Sequence, residues 1–241
     1  MTTVLDDSIT VLEPGRDPRR LVDLIDVPMT LSGLSRFNVE NSLAAASAAL
    51  AAGIDESDVV AGLRDFKPDY QDNPGRMNTF SLHGEHEGVT VVMDLAHNEA
   101  GLEAMIEILR GLQPPGGRVL IGLGAVGDRT DDLIGMLGEI AARDSDAIVI
   151  GHKERYLRGR STEDLDEIFR AGAARVGVQD VPSYPTELAA LQALIERSAP
   201  GDVIGLMCHA ERAEVVQWLQ DTGATADSPD VLRTKVAAAR A

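Results

Sequence analysis

The chain has 241 residues, of which 44% are hydrophobic and 3% aromatic, and its formal net charge is −17. A chain of this length and hydrophobicity can bury the core of one large domain, or of one domain plus part of another. The acidic balance argues against a nucleic-acid partner, because phosphate binding requires clustered lysine and arginine.

No run of about eighteen apolar residues predicts a membrane-spanning helix, and the N-terminus lacks the basic and apolar regions of a signal peptide. The sequence contains one cysteine, Cys208. A single cysteine excludes an internal disulfide and is typical of a reducing compartment. We therefore expect a cytoplasmic protein that does not enter a membrane.

The first 68 residues predict short strands followed by two helices. Ile9–Leu12 and Val27–Leu31 have the composition of strands, and an Ala-rich helix is predicted over Asn41–Ala52 with Asn38 as a suitable N-cap. A second helix is predicted over Val59–Phe66. This block has too few apolar positions to bury a core of its own, so we expect it to pack on another part of the chain or on a partner.

Residues 69–78 are polar and contain proline and glycine, which predicts an interdomain linker. Thr79–Leu82 and Val89–Met93 then flank a polar segment, a pattern that indicates a hairpin. The main domain is expected over residues 79–221, and the polar, Ala-rich residues 222–241 are expected to form a loosely ordered tail.

From Val89 onward, segments with strand and helix patterns alternate. The predicted strands are Val89–Met93, Arg118–Leu123, Ala147–Ile150, Gln179–Val181 and Val203–Cys208. The predicted helices are Glu99–Leu112, Asp131–Arg143, Thr162–Val176, Glu187–Ser198 and Glu211–Gln220. Such alternation predicts an α/β fold, a Rossmann-like three-layer sandwich with a mostly parallel sheet covered on both faces.

Polar residues follow the first of these strands. Val89–Met93 leads directly into Asp94, His97 and Asn98. In open α/β sheets, ligands bind in the crevice at the carboxyl ends of the strands. Asp94 and His97 could there bind a ribose hydroxyl, a carboxylate or an amine. The alternative is a helix start capped by Asn98 beside a solvated Asp94.

A glycine-rich loop, Gly122-Leu-Gly-Ala-Val-Gly127-Asp128-Arg129, follows the next strand. It matches G-x-G-x-x-G between a strand and a helix, which is the pattern of dinucleotide-binding oxidoreductases. However, a full strand-loop-helix unit precedes it, and Asp128 would place a carboxylate beside the diphosphate. A loop that presents Arg129 to a phosphate or carboxylate explains the residues better.

Cys208-His209-Ala-Glu211 follows the last predicted strand. A lone Cys-His pair lacks the ligands of a metal site, so this loop is expected to be structural. The sequence contains no G-x-S-x-G nucleophile motif and no G-x-x-x-x-G-K-[ST] P-loop. No catalytic residue and no metal ligand is therefore assigned within the chain.

Five segments in order resemble the Mur ligase superfamily in its C-terminal, glutamate-ligase-type domain. The similarity extends over about residues 27–220 and is greatest to the Mur-like C-terminal region of cyanophycin synthetases. The segments that carry it are Arg36-Phe-Asn-Val-Glu-Asn41, Asn73-Pro-Gly-Arg76-Met, Val92-Met-Asp94-Leu-Ala-His97-Asn98, Gly127-Asp128-Arg129 and Leu157-Arg-Gly-Arg160.

The resemblance implies a ligase that phosphorylates a carboxylate with ATP and lets an amine attack the acyl phosphate. ATP and Mg²⁺ are the implied cofactors, and an amino acid or peptide is the implied substrate. By the same resemblance, nucleotide binding is assigned to Arg76, Asp94 and Asn98, and substrate binding to His97, Gly127, Asp128 and Arg129.

The sequence departs from the family pattern in two ways. Leu95 replaces an aromatic residue and Glu99 a proline of the central motif. The P-loop, the Mg²⁺ ligands and the activating lysine of the family's central domain have no counterpart. We therefore expect residues 1–68 to be the incomplete tail end of that ATPase domain, and the chain to be inactive without it.

The expected partner is that domain or a second copy of the chain. The alternative is a non-catalytic module that binds a nucleotide or an amino acid.

Overall fold

Two sheets organise the chain, which the computed structural model describes over residues 1–241. The smaller sheet is antiparallel and has the order β1 (Thr2–Leu5), β2 (Ser8–Val11) and β3 (Arg19–Asp23). Two helices pack beside it, α1 (Arg36–Ala51) and α2 (Glu56–Asp65). We call residues 1–66 the N-terminal block.

Two local predictions for this block are wrong. Helix α1 begins five residues earlier than expected because Ser35, and not Asn38, is its N-cap: the Ser35 hydroxyl accepts the Asn38 N–H. The strand predicted over Val27–Leu31 is instead a 3₁₀ turn, Pro28–Thr30. Pro28 has no N–H to donate to a sheet, and the Thr30 hydroxyl bonds back to the carbonyls of Leu24 and Val27, both at 2.8 Å.

The larger sheet has seven strands and confirms the predicted α/β fold with a mostly parallel sheet. Its strands are β4 (Asn78–Ser81), β5 (Thr90–Asp94), β6 (Val119–Leu123), β7 (Ala147–Gly151), β8 (Ser183–Tyr184), β9 (Val203–Met207) and β10 (Thr225–Ala226). Their order is β10-β4-β5-β9-β6-β7-β8. The strands from β5 to β8 in this order are parallel, whereas β4 pairs antiparallel with both β5 and β10. The predicted β4–β5 hairpin is therefore confirmed.

Six further helices cover this sheet: α3 (Glu99–Leu112), α4 (Asp131–Asp144), α5 (Thr162–Ala174), α6 (Glu187–Glu196), α7 (Arg212–Asp221) and α8 (Pro229–Ala239). One apolar core lies between the sheet and α3, α4, α5 and α8, and a second core lies under α6 and α7. The two cores make the three layers that the alternating pattern predicts. No helix is both long and apolar enough to cross a membrane.

Two elements near the end of the chain differ from expectation. The strand expected at Gln179–Val181 lies later, at Ser183–Tyr184, where Pro182 ends the preceding loop and its carbonyl accepts the Ile150 N–H. The tail expected to be loosely ordered instead contains β10 and α8. Leu232 and Val236 of α8 are 2% and 4% exposed in the core beside α3, because Ser228 caps an amphipathic helix that Pro229 starts.

The N-terminal block depends on the larger unit, as its composition predicts. Its own cluster has four buried apolar residues, Ile9, Val22, Leu24 and Val27. Leu31 instead belongs to the core of the larger sheet, and Leu34 packs against Gly111 in α3. The block is thereby fixed against α3, and the space between the two forms a cleft.

Candidate functional site

The site lies at one edge of the larger sheet, where four neighbouring parallel strands end. Their following loops begin at Leu95, Gly124, His152 and Cys208. Because parallel strands end on the same side, these loops form one continuous rim, which we call the carboxyl edge. The predicted loops are therefore brought to one face of the molecule.

Asp94, the last residue of β5, is buried at this edge with 6% exposure. Its carboxylate accepts the backbone N–H of Met77 at 3.0 Å, and its carbonyl accepts the Cys208 N–H at 2.8 Å. Burial raises the pKa of Asp94, although the Met77 N–H and the positive charge of Arg76 oppose that shift. The carboxylate is thus held rigidly between the linker and the neighbouring loop.

A cleft of about 880 Å³ separates the Asp94 loop from helices α1 and α2. Arg76, Asp94 and His97 line one wall, and the amide side chains of Asn38 and Asn41 line the other. Most of the remaining lining is apolar. A mostly apolar cleft with a few convergent polar groups is typical of a small-molecule site, for which volumes of roughly 300–1,000 Å³ are common.

Asn38 and Asn41 were not predicted as site residues. Asn38 was predicted to be a helix cap, and Asn41 to be the first residue of the helix, within a segment that resembles the family. The available signal was their spacing of three, which places both amides on one face of α1. The Asn41 amide nitrogen lies 3.4 Å from the Asn38 amide oxygen, so the two act as one polar patch.

His97 and Asn98 follow Asp94 and also line the cleft. Asn98 caps α3: its side-chain oxygen accepts the Gly101 N–H at 2.8 Å. The helix-start interpretation is therefore correct for Asn98, whose binding role stays a prediction. His97 is exposed, and its Nδ1 lies 2.9 Å from the Leu95 carbonyl, which leaves Nε2 directed away from that contact.

The glycines of the Gly122–Gly127 loop serve close backbone packing. A Cβ on Gly124 would lie 2.4 Å from the Gly151 carbonyl, and a Cβ on Gly127 would lie 1.7 Å from the Leu157 carbonyl. Helix α4 then begins at a Thr130 cap with two aspartates in its first turn. These carboxylates, with Asp128 before them, disfavour a diphosphate at this helix end, which weakens the dinucleotide interpretation.

Arg129 ends that loop, and its side chain is half-buried. Its Nε atom is buried without a hydrogen-bond partner, while its backbone carbonyl accepts from Arg160 at 3.3 Å. Arg160 is committed elsewhere by ion pairs with Asp131 and Asp164. Arg129 is thus a positioned guanidinium with unused donors, the group that suits a carboxylate or phosphate.

Most lysines and arginines of this acidic chain form ion pairs, among them Lys153 and Arg160 at the carboxyl edge. Five arginines at that edge have no ion-pair partner: Arg76, Arg129, Arg155, Arg158 and Arg212. Arg155 and Arg212 line a second cavity of about 300 Å³ together with Tyr70. These arginines lie among carboxylates such as Asp128, Glu154 and Glu214, so each is an individual donor for an anionic group rather than part of a positively charged patch.

The Cys208 loop is held by a buried ion pair that sequence reasoning missed. Glu187, the first residue of α6, pairs with Lys153 from the loop after β7. Glu187 also accepts the N–H groups of His209, Ala210 and Glu211 at 2.7–2.9 Å. Burial raises the pKa of the Cys208 thiol above its ordinary range, so the structural interpretation of this cysteine fits the geometry.

Arg76, Asp94, His97 and Asn98 thus meet at the large cleft. Gly127, Asp128 and Arg129 follow β6, which β9 separates from β5. The predicted residues form two groups on one edge, joined by the loop after β9. An α/β unit whose carboxyl edge presents unpaired arginines, closed on one side by a helical block, is the class of structure that they define.

The chain belongs to the Mur ligase family: residues 75–209 match the family model described as Mur ligase, glutamate ligase domain. This match covers more than half of the chain and includes both groups of predicted residues. It confirms the resemblance inferred from the five sequence segments.

Among curated relatives, a cyanophycin synthetase of Crocosphaera subtropica is 37% identical over 164 residues, which are 68% of this chain and 18% of that protein. A UDP-N-acetylmuramoyl-L-alanyl-D-glutamate–2,6-diaminopimelate ligase of Corynebacterium efficiens is 30% identical over 216 residues, 88% of this chain and 39% of the relative. The chain thus spans less than half the length of either.

Among solved structures, E. coli FolC in complex with DHPP and ADP superposes with a TM-score of 0.61 at 19% identity. The match covers 91% of this chain and 45% of that one. A pseudomurein peptide ligase of Methanothermus fervidus superposes with a TM-score of 0.57 at 18% identity. At these identities, the superpositions establish a shared fold that includes most of the N-terminal block.

Proposed function

We propose that this chain is the nucleotide-closing and substrate-positioning part of an ATP-dependent ligase that makes an amide or peptide bond through an acyl phosphate. The observation that carries the proposal is the 880 Å³ cleft, in which two amides face an arginine and a buried carboxylate. The relatives named as synthetases and ligases support the reaction class.

In this proposal the cleft holds the base and ribose of ATP. The amides of Asn38 and Asn41 can donate to and accept from the edge of an adenine, against the apolar lining of α1 and α2. The Asp94 carboxylate is suited to a ribose hydroxyl. Arg76 lies beside Asp94 without an ion pair and is suited to a phosphate oxygen, and Asn98 lines the same space.

The amino-acid substrate is proposed to bind along the rest of the carboxyl edge. Arg129, presented by the Gly127-Asp128 turn, supplies a free guanidinium for a carboxylate. Arg155 and Arg212 supply two more around the smaller cavity. His97 lines the large cleft. We propose that it contacts the amino-acid substrate at the point where the substrate meets the nucleotide. Arginine forks fix the orientation of a carboxylate, which brings the attacking amine into line.

The phosphates of ATP and the Mg²⁺ ion are proposed to be held mainly by a P-loop ATPase domain, from a longer polypeptide or a partner. No three His, Cys, Asp or Glu side chains of the chain are grouped as a metal site. ATP supplies the phosphoryl group that activates the substrate carboxylate. We propose that residues 1–68 are the tail of that domain, 69–78 the linker and 79–221 the ligase C-terminal domain, and that the chain alone is inactive.

The binding proposal is tested by NMR titration of the chain with MgADP, followed by single amino acids. MgADP is expected to shift the resonances of Asn38, Asn41 and Arg76, and amino acids those of Arg129 and Arg155. Arg76→Ala is expected to weaken MgADP binding about tenfold, the loss of one charged hydrogen bond. Arg240→Ala is the matched control, because Arg240 is an exposed arginine at the chain's end. Saturating MgADP without any shift at the cleft would contradict the proposal.

The reaction class is tested by mixing the chain with the P-loop domain of the Crocosphaera relative and measuring ATP-dependent phosphate release with each amino acid. Release that requires both parts and is lost in Arg76→Ala would support the ligase. Binding of MgADP and an amino acid without any release would favour the non-catalytic module instead. A shift produced by NADH but not by MgADP would favour the oxidoreductase.

A further inference from the structure

The buried pair of Lys153 and Glu187 holds the Cys208 loop, but no part in ligand binding has been assigned to it so far. Each side chain is 1% exposed. A buried ion pair persists only when further hydrogen bonds compensate its lost hydration, and an apolar pair often fills the same space as well. Its presence beside a ligand-binding edge therefore raises the question of what the two charges hold in place.

The two charges hold the turn that follows β9. The Lys153 ammonium donates to the Met207 carbonyl at 2.6 Å, at the start of the turn. The Glu187 carboxylate accepts the next N–H groups, from His209 to Glu211. Glu211 completes the closure, because its own carboxylate accepts the Leu188 N–H at 2.9 Å. The start of the turn is consequently fixed to the loop after β7, and its end is fixed to α6.

The turn buries the His209 ring so that one of its nitrogens, Nε2, has no protein partner. Both ring nitrogens are buried without a hydrogen bond, Nδ1 lies 3.8 Å from the Glu187 carboxylate, and 15% of the side chain is exposed. Burial lowers the pKa of His209, which favours the neutral ring. A neutral imidazole carries one donor and one acceptor. Buried polar atoms are rarely left unpaired, so unpaired ones indicate a missing ligand or water.

The position of the ring indicates which ligand that is. The His209 ring meets the His97 ring edge-on, with centroids 6.5 Å apart and an interplanar angle of 80°. His97 lines the large cleft, and Ala210, the neighbour of His209, lines the smaller cavity with Arg155 and Arg212. The ring therefore lies between residues that line the two cavities, without lining either cavity itself, near the place where a nucleotide and an amino acid would approach each other.

We propose that His209 contacts the amino-acid substrate, and that Lys153 and Glu187 are positioning residues that hold its ring between the two cavities. Nε2 of the imidazole would bind a polar group of the substrate: it would donate to the carboxylate when it carries the ring proton, and accept from the ammonium group when it does not. The identity of the substrate in this inference rests on the proposed function. The arrangement of the turn does not depend on the proposed function.

The contact is tested with the full chain by NMR of the histidine ring nitrogens, assigned with His209→Gln. The probes are L-aspartate and L-arginine, each added in the presence of MgADP. At least one probe is expected to shift the His209 ring nitrogens, and His209→Ala is expected to weaken its binding about tenfold. A probe that shifts Arg129 or Arg155 but leaves the His209 ring unchanged overturns the inference and leaves the proposed function standing.

The positioning role is tested with Lys153→Met/Glu187→Gln, which removes both charges together so that neither remains buried alone. The matched control is Lys235→Met/Asp227→Asn, because Lys235 and Asp227 form another largely buried pair, beside the outermost strand β10 and away from the turn after β9. The site variant is expected to lose the ring-to-ring nuclear Overhauser contact of His97 and His209, and to bind the amino acid about tenfold more weakly. The control is expected to retain both.

Two results would overturn this part. The first is a folded site variant in which the contact between the two rings and the amino-acid affinity are unchanged. The second is an equal loss of affinity in the control, because this would show a general effect of stability. If neither MgADP nor any amino acid shifts any resonance, the proposed function and the His209 contact both fail. The ring-to-ring measurement still decides whether the pair positions the turn.

Discussion

The backbone N–H of Met77 donates to the carboxylate of Asp94 at 3.0 Å, and Met77 adopts a left-handed backbone conformation with φ of 52° to do so. Such a conformation costs a non-glycine residue about 1–2 kcal/mol. The strained residue lies between Arg76 and the start of β4, so its hydrogen bond to Asp94 fixes the backbone next to Arg76. Asp94 therefore has two functions, as a cleft carboxylate and as the anchor of the linker.

Asp94→Asn should separate these two functions. The amide oxygen can still accept the Met77 N–H, while the cost of burying a charge disappears. Because burial raises the pKa of Asp94, its contribution to stability is present at low pH and is lost as the pH rises through that pKa. We expect the variant to be as stable as the native chain at pH 7, or about 1 kcal/mol more stable, yet to bind MgADP at least tenfold more weakly. Urea unfolding and calorimetry measure the two effects.

Asp94→Ala is the control for the anchor. It leaves the Met77 N–H without an acceptor, which should cost about 1–3 kcal/mol. If the asparagine variant is as unstable as the alanine variant, the anchoring interaction requires the negative charge and this interpretation fails.

Removing one partner of the Lys153–Glu187 pair should be far more damaging than removing both. Glu187→Gln leaves Lys153 buried without its counter-charge, and we expect a loss of about 3–5 kcal/mol of unfolding free energy. Lys153→Met/Glu187→Leu should recover at least half of that loss. Chemical unfolding of the two variants measures the difference, and equal losses would contradict the prediction.

The same pair should make the chain sensitive to acid. Lys153 and the surrounding N–H groups overcome the effect of burial and hold the pKa of Glu187 well below its ordinary range. The resulting stability is therefore complete above the ordinary pKa of a glutamate and is lost as the pH falls toward the lowered pKa. Unfolding free energies measured from pH 6 to pH 3 should decline in the native chain and decline less in Lys153→Met/Glu187→Leu.

Gly127→Ala should disrupt the turn that presents Arg129. A Cβ there would lie 1.7 Å from the Leu157 carbonyl, so the backbone itself must move. We expect a loss of about 1–3 kcal/mol, together with shifted resonances for Arg129. Gly62→Ala is the control, because a Cβ on this helical glycine meets nothing within 4 Å, and it should stabilise α2 by roughly 0.5–1 kcal/mol.

Leu232→Ala should show that the last helix is part of the fold. Leu232 is buried in the core beside α3, and truncating such a side chain costs about 2–5 kcal/mol. Val231→Ala is a matched control on the same helix, because Val231 is 39% exposed. Equal midpoint temperatures of thermal unfolding for both variants and the native chain would contradict this prediction and indicate that residues 222–241 are loosely attached.

Periodicity and composition were sufficient for the elements of the larger sheet. The continuous apolar run before Asp94 and the spacing of Leu102, Met105 and Leu109 are local signals, and the structure confirms the strand and the helix that they predict. The Asp94 loop could be assigned to the site because it follows the carboxyl end of a predicted parallel strand, where ligands bind in such sheets. Caps were less certain, since Ser35 and Asn38 are both suitable and only the backbone geometry distinguishes them.

The pair of Lys153 and Glu187 could not be predicted in this way. A lysine after a strand and a glutamate at the start of a helix are ordinary residues at those positions, and 34 positions separate them. Lys153 and Glu187 come together under the turn after β9 only because of the register between β7 and β8 and the position of β9 two strands from β7. For the same reason, the sequence pattern could not predict that the His209 ring nitrogens are buried without hydrogen bonds, because this depends on the folded turn.

The helix α8 links the two sides of the cleft from behind. Its Leu232 packs beside α3, while the guanidinium of its Arg233 donates twice to the Ile25 carbonyl of the N-terminal block, at 3.0 and 3.1 Å. Eleven residues at the far end of the chain thus join α3 to the N-terminal block behind a cleft to which they contribute no lining. Because α8 contacts both sides of the cleft, we expect the loss of this helix to change the distance between α1 and Asp94 without removing any side chain from the cleft.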